Sequence, residues 1–277
     1  MKSKMYSDDS FESPTMSSSF LAKAVDSVKK DGYVVLDNVV SSESLDLILE
    51  QMTEDTEILL DSQKKGRDIT GWKHGHIQQK PPHHPPFLFP DIVANPYVVK
   101  VTHEVLGDGL FNSFYSGNTN CPGSEEQPIH RDASPLWSNI SSPHPATTLV
   151  VNMSPIDVTI DRGSTEIWPG SHLTLGPITY ESIERQRDIR PPKQLNIKKG
   201  GVLIRDVRLW HRGMPNRSSQ IRHMIAMVHQ VSWFNRSQTL CFQTGAESVF
   251  ESPWLNANAC FQNDIPEYIF GPHCLHS

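Results

Sequence analysis

No stretch of this chain approaches the roughly 20 consecutive apolar residues that span a bilayer, so the sequence gives no reason to expect a membrane helix. Residues 1–19 are polar and Ser-rich and lack the apolar centre of a secretory signal, so they are read as a disordered tail. Cysteine is scarce: four are present (Cys121, Cys241, Cys260 and Cys274), without a C-x-x-C pair. No disulfide framework is expected, and free thiols in a reducing cytoplasm are the natural reading. Basic charge is in deficit. A formal net charge of -6 offers no electrostatic footing for nucleic acid or an anionic membrane. Internal repeats are absent, and Cys274-Leu275-His276-Ser277 matches no retention or lipidation signal. No Ser-His-Asp or paired-carboxylate constellation stands out.

What is there is enough apolar sequence for a sizeable core: hydrophobic residues make up 37% of the 277. Phe20, Leu21, Ala24, Val25 and Val28 recur at helical spacing after Ser18-Ser19, and Gly32 stops that helix. Tyr33-Val34-Val35-Leu36 reads as a strand. A second helix opens at Ser41-Ser42-Glu43 with Leu45, Ile48, Leu49 and Met52 on one face. Residues 64–91, broken by Gly66, Gly71, Gly75 and the run Pro81-Pro82-His83-His84-Pro85-Pro86, read as a long loop of the kind that is functional or disordered. Asn95-Pro96 opens a third helix that ends at Gly107. Beyond it the pattern turns to strands, at 111–115, 147–152, 164–168, 202–205 and 222–232. Helices followed by strands predict a mainly β fold with flanking α-helices, a sandwich or barrel, as one domain over 20–277. The sequence after Gln238 yields no assignment.

Two motifs carry chemistry. In His130-Arg131-Asp132 the alternation of an extended segment sends the first and third side chains the same way. Leu209-Trp210-His211-Arg212-Gly213 presents a second imidazole far downstream. Two imidazoles and one carboxylate can hold one face of a ferrous ion and leave the other open. An isolated His-x-Asp is far more often an ordinary surface turn. Arg222 shares a strand face with Met224, Ala226 and Val228, which places a guanidinium on an apolar surface. Such a group needs a partner, either an internal carboxylate or the carboxylate of a ligand.

Gln127-Pro128-Ile129-His130-Arg131-Asp132, Gly163-Ser164-Thr165-Glu166-Ile167-Trp168-Pro169-Gly170-Ser171-His172 and Leu209-Trp210-His211-Arg212-Gly213, with Pro215-Asn216-Arg217, resemble the phytanoyl-CoA dioxygenase family. Gly32-Tyr33-Val34-Val35-Leu36 resembles that family's opening. The resemblance runs in the same order from about residue 22 to about 233. It implies a double-stranded β-helix (jelly-roll, cupin-like) core holding Fe(II), with 2-oxoglutarate and dioxygen as cosubstrates. By the same resemblance His130, Asp132 and His211 are the iron ligands. Arg222 pairs with the distal carboxylate of 2-oxoglutarate, and Gln127 and Thr165 are further polar contacts to it. The acidic-Asn-Gly turn common in the family is Asp161-Arg162-Gly163 here; with Gly retained, the turn is expected to survive. A carboxylate at 132, rather than a small residue that would free a site for halide, implies oxygen chemistry.

The expected activity is therefore oxidation of a small organic molecule, by hydroxylation, desaturation or related C–H chemistry, in natural-product biosynthesis. No cluster of Lys and Arg suits the phosphates of coenzyme A, which makes an acyl-CoA 2-hydroxylase the alternative. A non-catalytic cupin-like binding protein and a zinc hydrolase are readings of other classes. A homodimer is the default assembly. His74, His76, His83 and His84 are expected in the surface or lid loop, His172 as a structural hydrogen bonder, and His223 and His229 on the strand face opposite Arg222. Trp137, Trp210 and Trp254 are read as core or pocket wall, with Trp72 and Trp137 as weak candidates for substrate contact.

Overall fold

The computed structural model describes residues 16–234 and 239–271. Most of the expected tail, and Cys274, lie outside them.

The helices form where caps and apolar spacing predict. Helix α1 (Ser18–Asp31) is capped by the Ser17 hydroxyl, which accepts the Phe20 N–H, and ends at Gly32 in the left-handed region. It starts slightly earlier than sequence spacing suggests, with Ser18 and Ser19 inside its first turn. Strand β1 (Tyr33–Leu36) and helix α2 (Ser42–Lys64) follow. The expected long loop is more ordered than its prolines imply. It contains a short strand, β2 (His76–Gln78), and ends in the one-turn helix α3 (Pro90–Val93). Helix α4 (Pro96–Leu106) is capped by Asn95, whose side-chain oxygen accepts from Tyr97 and Val98.

The remaining elements are β3 (Phe111–Asn120), β4 (Thr148–Met153), β5 (Glu166–Ile167), α5 (Tyr180–Ile189), β6 (Lys193–Gln194), β7 (Val202–Asp206), β8 (His211–Arg212) and β9 (Ile225–Gln230). The C-terminal part adds a parallel pair, β10 (Leu240–Gln243) and β11 (Ala259–Gln262), in which Cys241 and Cys260 lie opposite each other as free thiols. Helix α5 has no counterpart in the sequence pattern. Its apolar spacing is weak, and its signal is the reciprocal cap between Thr179 and Ser182. The strand expected at 164–168 shrinks to two residues, and β9 begins three residues after Arg222.

Six strands form the larger sheet in the order β1-β7-β4-β9-β3-β2, with every pairing antiparallel. The smaller sheet is β6-β5-β8. Strands β4, β7 and β9 read as continuous apolar runs because both of their faces are covered. Leu149, Val151, Met153, Val202, Ile204, Ile225 and Met227 point into a core shared with Ala24, Val28, Leu45, Ile48, Val98 and Val101 of the helices. Their alternates, Val150, Asn152, Arg205, Ala226 and Val228, line a cavity on the opposite face, bounded across the gap by His130, Thr165 and His211. The expected mainly β architecture with flanking helices and a jelly-roll core is what the chain adopts. No helix among the described residues is long and apolar enough to cross a membrane.

Candidate metal centre

Backbone pairing brings the two distant motifs together. His130 and His211 exchange both N–H···O bonds, at 3.0 and 2.9 Å, as one antiparallel bridge. Asp132 N–H then donates to Val207 O at 3.1 Å. The loop that delivers His211 is held by Asp206 and Arg208, both buried. Arg208 donates through Nε to Oδ1 and through Nη2 to Oδ2, at 2.9 and 2.7 Å. Trp210, fully buried, anchors it through its backbone N–H, which donates to the Ser171 hydroxyl.

The two rings are pinned alike. His130 Nδ1 donates to Pro128 O at 2.8 Å, and His211 Nδ1 donates to Leu209 O at 2.9 Å. That sets each neutral ring in the tautomer with its lone pair on Nε2. Both Nε2 atoms face Asp132 Oδ1, at 3.8 and 3.5 Å. The three donor atoms lie within 4.8 Å of one another, which suits a single ion.

The other carboxylate oxygen is occupied. Arg205 Nη2 donates to Asp132 Oδ2 at 2.7 Å, and its Nε donates to Asn152 Oδ1 at 3.3 Å. Burial opposes charge on Asp132, but the Arg205 guanidinium and the two imidazoles outweigh it and hold the carboxyl well below the usual range. Burial first, and then Arg205, push His211 down to about 3, so it stays a neutral donor. Arg205 is not among the site residues expected from sequence. The signal was available: two charges end the buried run Val202-Leu203-Ile204-Arg205-Asp206, the same anomaly that singled out Arg222.

Arg222 is 2% exposed and lines the same cavity. Its Nη2 donates to Gly163 O at 3.3 Å, while Nε and Nη1 have no hydrogen-bond partner among the described residues. Burial lowers its pKa to about 10, which leaves it charged at neutral pH. Among the described residues no carboxylate pairs with it. The Asp161-Arg162-Gly163 turn survives, closed by Gly163 N–H to Ile160 O at 3.0 Å. Gly163 sits at φ +68°, and a Cβ there would meet the backbone carbonyl oxygen of Met214 at 2.5 Å. Gly is therefore required at the position whose carbonyl supports Arg222.

Gln127 and Thr165 line the cavity. Gln127 Oε1 accepts the Gly213 N–H at 2.8 Å, a close approach that a Cβ on Gly213 would obstruct at 2.7 Å. Phe114, Asn118, Gln78 and Asn152 also line it, with Gln78 opposite Asn118 in the β2–β3 register. Trp72 and Trp137 are not among the lining residues. Trp137 is 55% exposed and meets the His144 ring edge-on.

Two histidine expectations need correction. His76 and His83 are buried, not on a surface lid. His76 donates to Glu125 O at 2.7 Å, and His83 stacks on Phe242 and Tyr268 while bonding to Cys241 O at 2.9 Å. The proline run packs inward against the C-terminal strands, so its polar rings serve as hydrogen-bonded core. His172 bonds to Lys29 O as expected, and His223 and His229 pair with Thr119 and Thr102 on the face away from the cavity.

Among known proteins, dioxygenase AndF of Emericella variicolor is 25% identical over 143 residues, which cover 49% of this chain and 47% of that protein. The match thus spans about half of that relative. Among solved structures, SnoK, an alpha-ketoglutarate-dependent non-heme carbocyclase from nogalamycin biosynthesis, superposes with a TM-score of 0.56 at 21% identity, covering 79% of this chain and 85% of SnoK. HygX of Streptomyces hygroscopicus, solved with nickel, 2-oxoglutarate and hygromycin B, gives 0.56 at 14% identity over 85% and 96%. These likenesses establish a shared fold. The family profile of phytanoyl-CoA dioxygenase (PhyH) matches residues 28–224, a span that holds the three clustered donors and Arg222, and the chain belongs to the phytanoyl-CoA dioxygenase family.

Proposed function

We propose that this protein is a non-haem Fe(II)- and 2-oxoglutarate-dependent dioxygenase acting on a small organic molecule in natural-product biosynthesis. One observation carries the reading: His130, Asp132 and His211 converge in a cavity whose wall holds a buried guanidinium with two unpaired donor atoms. The residues fit the groups they would hold. Two neutral imidazoles and a carboxylate are a donor set for ferrous iron that leaves coordination positions open. A carboxylate is the natural complement of Arg222 Nε and Nη1, since a buried charge without a counter-charge is costly.

When bound, Fe(II) with 2-oxoglutarate and dioxygen supplies C–H oxidation coupled to decarboxylation of the keto acid to succinate. The chain supplies the setting. Pro128 O and Leu209 O hold the two rings in the donor tautomer. Arg205 occupies Asp132 Oδ2, so Asp132 offers only Oδ1 to the ion. Arg222 binds the distal carboxylate of 2-oxoglutarate, and Thr165 and Gln127 flank it as polar wall. Val150, Val207 and Val228 exclude water from the reacting end.

The test is oxygen uptake and succinate formation by the purified protein with added Fe(II) and 2-oxoglutarate. Both should require His130, Asp132 and His211. Turnover of an ester or amide without oxygen would point instead to a hydrolase and end this reading.

A further inference from the structure

The cavity has two chemically different ends. Arg222, Met224, Ala226 and Val228 line it in sequence order along one extended segment. At about 3.3 Å per residue, Arg222 and Val228 are separated by about 20 Å of backbone. The far end is apolar. Val228 lies opposite Val150, and Val150 opposite Arg205. Phe114, Val150, Val207 and Val228 form a buried cluster there, with Ala133 and Ala226 packed against it.

The few charges at that end are already matched. Arg205 is bonded to Asp132, and Arg208 is bonded twice to Asp206. A charged group brought in would lose its hydration without gaining a free counter-ion. A second cavity of about 270 Å³ adjoins the central one, of about 330 Å³, with Asp132 and Val207 belonging to both walls. Ala133, Leu136 and Thr147 line this extension.

We propose that the substrate is an uncharged molecule with a mainly hydrocarbon skeleton, polycyclic or branched aliphatic. Its reacting part rests on Phe114, Val150, Val207 and Val228 beside Asp132, and its remainder extends into the second cavity. This rests on the assignment of Arg222 to 2-oxoglutarate, which keeps the cosubstrate at the opposite end.

The test uses three probes of one shape: neutral 2-decalone, the anion decahydronaphthalene-2-carboxylate and the cation 2-aminodecalin. Each is titrated into the full chain loaded with redox-inert Ni(II) and saturating 2-oxoglutarate, whose own binding is measured first. 2-Decalone should bind at least thirtyfold more tightly than either ion. Phe114→Ser should weaken it at least tenfold and leave 2-oxoglutarate affinity within twofold. The comparison of probes on the unaltered protein stands even where that variant does not fold. An ion that binds as well as 2-decalone overturns the proposal, as does failure of all three probes while 2-oxoglutarate is bound. If 2-oxoglutarate itself does not bind, the assignment of Arg222 fails instead, and the three probes are still ranked without it.

Discussion

His130 and His211 face each other across a single antiparallel bridge, with both backbone hydrogen bonds formed and ring centroids 4.3 Å apart. The pair is asymmetric in its surroundings. The His130 side chain is 39% exposed and that of His211 is 8% exposed. Replacement by Ala should abolish tight Co(II) or Fe(II) binding in both cases, because two of three donors cannot hold the ion alone. The stability consequences should differ. His130→Ala should change stability by no more than about 0.5 kcal/mol, as a surface substitution does, whereas His211→Ala leaves a void and should cost about 1–3 kcal/mol. Urea midpoints measured on the metal-free variants decide this; equal losses would contradict the burial difference.

Arg222 predicts an opposition between binding and stability. Its charge is buried, with one carbonyl contact and, among the described residues, no carboxylate. Arg222→Met should weaken 2-oxoglutarate binding by about 2–4 kcal/mol, the scale of a desolvated bidentate pair. The same change should raise the stability of the ligand-free protein by about 1–3 kcal/mol, since an uncompensated buried charge is removed. Calorimetric titration and thermal melts on one preparation read both effects. A variant with unaltered cosubstrate affinity would falsify the role given to Arg222.

The bond from Arg205 to Asp132 Oδ2 would orient a ligand of the proposed ion without contacting that ion. Loss of such a partner commonly costs tenfold to a hundredfold in metal affinity. Arg205→Met should therefore weaken Co(II) binding by roughly that factor and alter the ligand-field spectrum of the bound ion, as Asp132 becomes free to offer both oxygens. Arg205→Lys should recover part of the affinity. An unchanged spectrum in the Met variant would reduce Arg205 to a packing residue.

Much of this site is legible in the sequence because its logic is local. The i, i+2 spacing of His130 and Asp132, and the parity that puts Arg222 with Met224, Ala226 and Val228, follow from extended backbone alone. The same parity sends His223 and His229 to the other face, where they are found. What is not legible depends on partners distant in sequence. Arg205 gains its meaning from Asp132, which only the sheet register brings near. His83 sits among prolines that suggest a surface loop, yet Phe242 and Tyr268 bury it. Strand β2 is three residues long and is defined by its pairing with β3, not by any pattern of its own. Helix α5 is short and polar, so its cap is a stronger signal than its periodicity.

The buried histidines away from the metal centre set a pH dependence of stability. His83, His223 and His229 are each at most 6% exposed, and burial depresses their pKa values to about 4, about 4 and about 3. The folded chain keeps them neutral, whereas the unfolded chain protonates them near the ordinary value of about 6.5. Between those values the unfolded state binds more protons, so stability must fall as pH falls. It is fully present above about pH 6.5 and is lost progressively toward pH 4. Each histidine contributes up to about 1.4 kcal/mol per pH unit within that window. Urea unfolding of the metal-free protein at intervals from pH 7.5 to pH 5 should give a flat upper limb and then a slope exceeding three protons, because His211, pushed down to about 3, and the burial-depressed His76 and His172 add to these three rings. His229→Gln, which can keep a hydrogen bond to Thr102, should remove about one proton from that slope. A stability that stays level down to pH 5 would mean these rings are protonated in the folded protein, in conflict with their burial.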